Sequence, residues 1–256
     1  MPSAEILGSS MKKFRIAIIL AYLCYWPAHS ETLTQQVVGD LGAPFTDAYS
    51  PLIMGSGATL YLYAFKYEIG DPLQRSWQER KPLGKFSKYG DAAGQWIPNI
   101  LYAVGMGIHT WSTNDKKSRA RAILMTKATV YSGVVSAGLK YVFREPRPNG
   151  SSDMASFPSG HATTAFAFAS VVGAEHEWYY GLAAYSLATF VAASRINDNQ
   201  HRLHDVVGGA TIGLSYGLGL YYRQLPEDAQ DGPRTVYQVL PSDRLDGFIL
   251  TALHEF

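Results

Sequence analysis

The sequence has a single cysteine, Cys24, so no disulfide within the chain is available to staple it, whatever the redox compartment. Neither sign of charge is in excess: Lys and Arg number 22, Asp and Glu 21. That balance lacks the basic surplus a nucleic-acid partner would require and leaves no acidic tail. Internal repeats and low-complexity tracts are missing, and strand-type alternation is scarce before the C-terminal end. No grouping of carboxylates or cysteines at metal-ligand spacing accompanies the charged motifs, so no metal is implied. What abounds is apolar: 47% of the 256 residues are hydrophobic, enough for one sizeable core and too short a chain for two.

Three segments are expected: an upstream extension and secretory leader over 1–30, a helical domain over 31–223, and a linker and tail over 224–256. The leader reading rests on Met11-Lys12-Lys13-Phe14-Arg15, an apolar stretch from Ile16 to Trp26, and small residues at Ala28 and Ser30 ahead of Glu31. The uncharged stretch is shorter than the roughly 20 residues of a spanning helix. Export to the bacterial cell envelope, with cleavage after Ser30, follows.

Long weakly polar runs at 49–65, 92–111, 122–140, 160–174, 179–195 and 205–222 predict an all-α fold, a six-helix bundle with its active site at one end. Breakers such as Lys81-Pro82-Leu83-Gly84 and Glu145-Pro146-Arg147-Pro148 mark the connectors. In the tail, 235–240 and 248–252 are placed to pair as a hairpin across Pro241-Ser242-Asp243-Arg244. Some runs are long enough to cross a bilayer, glycines recur at Gly209, Gly213 and Gly217, and aromatics crowd helix ends. Against spanning stand a mean hydropathy near zero (−0.06) and an odd number of crossings, which would return Lys140 to the cytoplasm. The reading is therefore a soluble or membrane-associated periplasmic protein, with six spans as the alternative. Tyr61, Tyr63, Phe65 and Tyr67 are read as packing or interface residues.

Three charged clusters sit beside predicted helix ends. They are Lys140 with Arg147-Pro148, then Pro158-Ser159-Gly160-His161, then Ser194-Arg195 with His201 and Asp205. An up-and-down bundle brings all of them to one end. Lys140, Arg147 and Arg195 supply three cations, two of them guanidinium forks that match paired oxygens of a tetrahedral anion. Ser159 and the first amides of a helix at Gly160 and His161 add hydrogen-bond donors at the positive end of a helix dipole. Phosphate fits such a set. His201 and Asp205 lie four apart, so if the sixth helix begins before His201 the carboxylate fixes one ring nitrogen and leaves the other as nucleophile. His161 is placed to protonate the leaving alkoxide and then activate water. His204, Arg202, Arg144 and Asp198 are left as surface or supporting residues.

In order and spacing, these clusters closely resemble the signature of the type 2 phosphatidic acid phosphatase superfamily, which includes class A bacterial acid phosphatases and vanadium haloperoxidases. Its pattern is Lys, six residues, Arg-Pro; then Pro-Ser-Gly-His; then Ser-Arg, five residues, His, three residues, Asp, with every defined position filled here. The resemblance implies anion binding by Lys140, Arg147, Ser159, Gly160, His161 and Arg195, acid catalysis by His161, attack by His201 and support from Asp205. It implies a metal-independent phosphatase with no cofactor, inhibited by vanadate. The expected substrate is a phosphorylated lipid at a membrane surface, or else a small soluble phosphate ester. A haloperoxidase and a non-catalytic phosphate- or lipid-binding protein are the competing readings. The haloperoxidases are longer chains, and binding alone would not need both histidines.

Overall fold

The computed structural model describes residues 32–46, 50–51, 53–58, 70–225, 234–241 and 248–255. The leader with Cys24, the four alternating aromatics at 61–67, the linker over 226–233 and the hairpin turn over 242–247 lie outside the described residues. The chain divides into two units, 1–38 and 39–256. In the first, Thr32 and Gln35 exchange a capping pair: the Thr32 amide donates to Gln35 Oε1 (2.8 Å) and the Gln35 amide to Thr32 Oγ1 (3.2 Å). They open helix α1 (Leu33–Thr46).

The other described residues are mostly helical, as expected, and include α2 (Gly70–Arg80), α3 (Ser87–Ala93), α4 (Ile97–Thr113), α5 (Lys116–Phe143), α6 (Gly160–Glu175), α7 (Trp178–Asn197) and α8 (Leu203–Gln224). Strands β1 (Arg234–Pro241) and β2 (Phe248–Glu255) pair antiparallel, from Arg234 opposite Glu255 to Pro241 opposite Phe248, forming the anticipated C-terminal hairpin. Helices α1 and α2 add to the runs read from the sequence; of the run over 49–65, residues 50–51 and 53–58 are helical, and 49, 52 and 59–65 lie outside the described residues. The charged α2 has no apolar run to reveal it. The run over 92–111 is in fact two helices, broken at Gly94-Gln95-Trp96. Among the described residues one helix, α5, is long and apolar enough to cross a membrane.

Helix α6 is the hub, packing on α5, α7 and α8. Its small residues, Ala162, Ala165, Ala167 and Ala169, are buried, which lets neighbouring backbones approach. The closest approach is to α8. A β-carbon at Gly209, Gly213 or Gly217 would collide with Ser159 O, Thr163 O or Ser170 Oγ respectively, so three glycines one turn apart set α8 directly against α6. Around this seam Leu124, Met125, Val171, Val191, Tyr216 and Leu220 form the core. Truncating a fully buried member such as Leu124 to Ala would cost about 2–5 kcal/mol.

Helix ends carry their own signals. Asp115 caps α5, accepting from the Lys117 and Ser118 amides at 3.1 and 3.0 Å. At the other end Arg144 takes a left-handed conformation (φ 48°) and its amide bonds back to Lys140 O. The chain thereby leaves α5 in a sharp turn one residue before Glu145.

Candidate active site

All eight residues singled out from the sequence lie at one end of the second unit, on the end of α5, the loop to α6, the start of α6, the end of α7 and the approach to α8. The α6–α8 seam is the reason. With Gly209 against Ser159, the Ser159 amide donates to Asp205 O at 2.9 Å, locking the Pro-Ser-Gly-His turn to the start of α8. Ser159 caps α6, its hydroxyl accepting from the Ala162 amide at 3.5 Å. First-turn amides of an α-helix such as those of Gly160 and His161 have no intrahelical partner.

Helix α8 starts at Leu203, two residues after His201, so the nucleophile candidate precedes the helix instead of riding on its first turn. The pairing with Asp205 survives because Asp205 folds back: its Oδ2 accepts from the Arg202 amide (2.8 Å) and from Ser156 Oγ (2.6 Å), and lies 3.5 Å from His201 Nδ1. The other ring nitrogen, His201 Nε2, faces Arg147 Nη1 at 3.4 Å. Both His201 and Asp205 are buried. Burial pushes the Asp205 carboxyl up, but hydrogen bonds with His201, His204 and Ser156 outweigh it and hold the group well below the usual carboxylate range. Burial, aided by Lys140 and Arg147, holds the His201 imidazole below its ordinary range against the pull of Asp205. At neutral pH His201 is uncharged, with a lone pair on the nitrogen facing Arg147.

Each cation already has partners. Lys140 Nζ donates to Ala155 O (2.7 Å) and Pro158 O (2.5 Å), bracing the loop ahead of α6. Burial and Arg147 bring its ammonium down to about 8. Arg147 Nε donates to Asp153 Oδ2 (2.7 Å) and its Nη1 to Gln200 Oε1 (3.2 Å). Arg195 is buried and bonds Asp91 through Nη1 and Asp198 through Nη2 (3.1 Å).

Asp91 is the functional candidate that sequence reasoning missed. Its Oδ1 meets Arg195 and also lies 3.2 Å from His161 Nε2. Two glycines bring it there: a β-carbon at Gly90 would strike Ser194, and one at Gly94 would come within 2.8 Å of His161 Cδ2 and 2.6 Å of Val191. The signal was Gly90-Asp91-Ala92-Ala93-Gly94, an acidic residue between two glycines ahead of a helix. It was obscured because the run was read as starting at Ala92. His161 itself is brought down to about 4, first by burial and then by Arg195, with Asp91 opposing.

Of the surface or supporting positions expected for His204, the structure gives the supporting one: it is buried against Asp205. Glu145, His204 and Asp205 bring ligand-type atoms within 4.8 Å of one another, a grouping the sequence did not reveal. Glu145 Oε1 is bonded there by His204 Nε2 (2.7 Å) and Arg202 Nη1 (3.0 Å), two donors on one oxygen.

A cleft of about 460 Å³ opens onto this end of the bundle. Trp96, Ile97, Ile100, Gly133 and Ala137 line its apolar length, and Lys140, Gly160 and His161 line its polar end. Chemically the arrangement offers a neutral buried imidazole, a second histidine, three cations and helix-terminal amides around one point, reached along an apolar wall.

Part of the chain that carries this grouping resembles known proteins. Residues 121–227 match the family model described as the PAP2 superfamily. Over 98 residues, 36% of this chain, it is 42% identical to the lipid A 1-phosphatase of Porphyromonas gingivalis. The match spans only about a fifth (21%) of that relative. The crystal structure of Aquifex aeolicus LpxE shares the fold, with a TM-score of 0.50 and 23% identity, covering 60% of this chain and 94% of that one.

Proposed function

We propose that this protein is a metal-independent phosphatase that removes a phosphate monoester group from a phosphorylated lipid through a phosphohistidine on His201. The observation that carries the reading is the cleft, whose apolar wall from Trp96 to Ile100 runs into the cationic end at Lys140 and His161. A soluble ester needs no such wall; an acyl chain does. The likeness to a lipid A 1-phosphatase supports the same substrate class.

In the first step His201 Nε2 donates its lone pair to phosphorus, forming the P–N bond as the ester P–O bond breaks. The leaving oxygen takes a proton from His161. In the second, His161 accepts a proton from water as its oxygen attacks phosphorus. The P–N bond breaks, returning the electron pair to His201 and releasing orthophosphate. Lys140, Arg147, Arg195 and the amides of Gly160 and His161 stabilise the equatorial oxygens in both transition states. Asp205 holds the His201 tautomer. Burial and Arg195 keep His161 neutral at pH 7. The phosphoryl group supplies the negative charge that offsets Arg195 and lets His161 carry its proton.

The outer face of α4 fits work at a membrane. Ile97, Leu101, Val104, Ile108 and Trp111 are exposed along it, and Trp178 and Leu182 at the start of α7 are exposed as well. On this reading the leader over 11–30 delivers the domain to the periplasmic side of the envelope.

The test is phosphate release from a panel of lipid and water-soluble monoesters, with EDTA present, by the wild-type chain and His201→Ala. Release from lipid phosphates that disappears in His201→Ala is expected. Hydrolysis confined to soluble esters would overturn the lipid assignment, and loss of activity in EDTA the metal-free one.

A further inference from the structure

Behind the His201–Asp205 pair stands a second histidine pair that the reaction as written does not use. His204 Nε2 lies 2.7 Å from Glu145 Oε1 and 3.3 Å from Asp205 Oδ1. Two carboxylates converging on one ring nitrogen require a proton on that nitrogen. Asp205 is fully buried, and His204 nearly so. In such surroundings a carboxylate that faced only a neutral imidazole would carry a large desolvation penalty.

We propose that His204 is a positioning residue for the phosphoryl-transfer reaction, an imidazolium clamped between Glu145 and Asp205 that keeps Asp205 anionic and aimed at His201. The inference rests on the phosphatase reading given above. The groups described around His204 fit the role. From the α5–α6 loop come the Glu145 carboxylate and the Phe157 ring, at 6.4 Å between centroids. From α8 comes Asp205. The Arg202 guanidinium binds Glu145 Oε1 (3.0 Å) and Pro146 O (2.8 Å), fixing Glu145 in place.

The shared oxygen also decides between a shared proton and a shared metal ion. Glu145 Oε1 already meets the positive Arg202 fork, which repels a divalent cation. Asp205 Oδ2 is filled by Ser156 and the Arg202 amide. The two carboxylates raise the His204 imidazole to about 9, overcoming the opposite effect of burial, so the clamp is charged throughout the neutral range.

The same cluster joins two halves of the site. Glu145 stands two residues before Arg147, and Asp205 four after His201. His204 therefore couples the loop that carries the anion-binding arginine to the turn that carries the nucleophile, consistent with the 3.4 Å approach of Arg147 Nη1 to His201 Nε2.

The decisive variant is His204→Gln, which keeps a donor within reach of both carboxylates but removes the charge. Without the cation, Asp205 attracts a proton onto His201 more strongly. The acid limb of kcat/KM on a chromogenic phosphate monoester then moves up by about half to one pH unit. kcat falls roughly tenfold with KM unchanged. A purely structural role would lower the amount of folded enzyme without moving the limb.

A second arm uses the wild-type protein. The carbon-13 signal of His204 Cε1 should report an imidazolium at pH 7.5 and titrate near 9. A wild-type kcat and acid limb in His204→Gln, or a His204 that titrates at or below the ordinary imidazole range, overturns the proposal. If the variant does not fold, the wild-type titration decides. A wild-type chain that releases no phosphate from any ester would instead sink the phosphatase reading, and the titration would still decide whether His204 is the charged clamp on Asp205.

Discussion

Asp91 Oδ1 sits between two partners on different helices, 3.2 Å from His161 Nε2 and bonded to Arg195 Nη1. One carboxylate thus contacts both the proposed acid catalyst and a proposed anion-binding cation. Its charge favours the protonated form of His161 against the depressing effect of burial and Arg195. Asp91→Asn should lower kcat by about 100-fold, the lower end of what general acid catalysis supplies. KM should not rise, since Arg195 loses a competitor for substrate. Steady-state kinetics on a soluble monoester separates the two constants.

His161→Ala should trap the covalent intermediate. A p-nitrophenyl leaving group departs without acid assistance, so the first step proceeds while hydrolysis of the phosphohistidine slows by about 100-fold or more. Phosphorus-32 from a labelled aryl phosphate should then appear on His201 after an alkaline quench. Label at another residue would refute the assignment of the nucleophile.

Activity should trace a bell in pH. On the acid side the limb belongs to His201, which must be neutral to attack and whose imidazole is held below its ordinary range. Activity therefore rises as His201 loses its proton. On the alkaline side Lys140 loses its proton through about 8, and with it a charge facing the phosphoryl group, so KM rises above that pH. A pH profile of KM that stays flat from pH 7 to 9.5 would remove Lys140 from the anion site.

Filling the cleft should discriminate between substrates. Gly133 lines its apolar length, and a β-carbon there makes ordinary contact with Trp96 at 3.6 Å. Gly133→Ala should be silent, whereas Gly133→Leu occupies the cleft. The larger side chain should raise KM for a long-chain lipid phosphate by about tenfold or more, the worth of a few displaced methylenes, and leave a water-soluble ester unaffected. Equal effects on both substrates would contradict an acyl-chain role.

The fold and the site were legible to different depths. Apolar runs revealed α5, α6, α7 and α8 because a buried helix must be apolar over its length. The highly charged α2 has no such run, so pattern could not expose it. Lys140, Arg147, His161, Arg195, His201 and Asp205 were legible because charge is costly beside apolar helices unless it is used or paired. Asp91 and His204 were not. Asp91 owes its place to close packing at Gly90 and Gly94, and His204 to the left-handed turn at Arg144, which leads the chain to Glu145. Both places are set by approach in three dimensions: the glycines flanking Asp91 hint at close packing but do not name its partners, and no linear spacing marks His204.

The three glycines that set α8 against α6 have a mechanical consequence. With Gly209 against Ser159 O and Gly213 against Thr163 O, and the Ser159 amide bonded to Asp205 O, little at the active-site end of the seam can change rotamer to absorb a displacement, so the Ser159 turn and Asp205 must move together. Any motion that admits a bulky lipid has to come from elsewhere, and α4, with one face to solvent and the cleft along its side, is the wall free to give way.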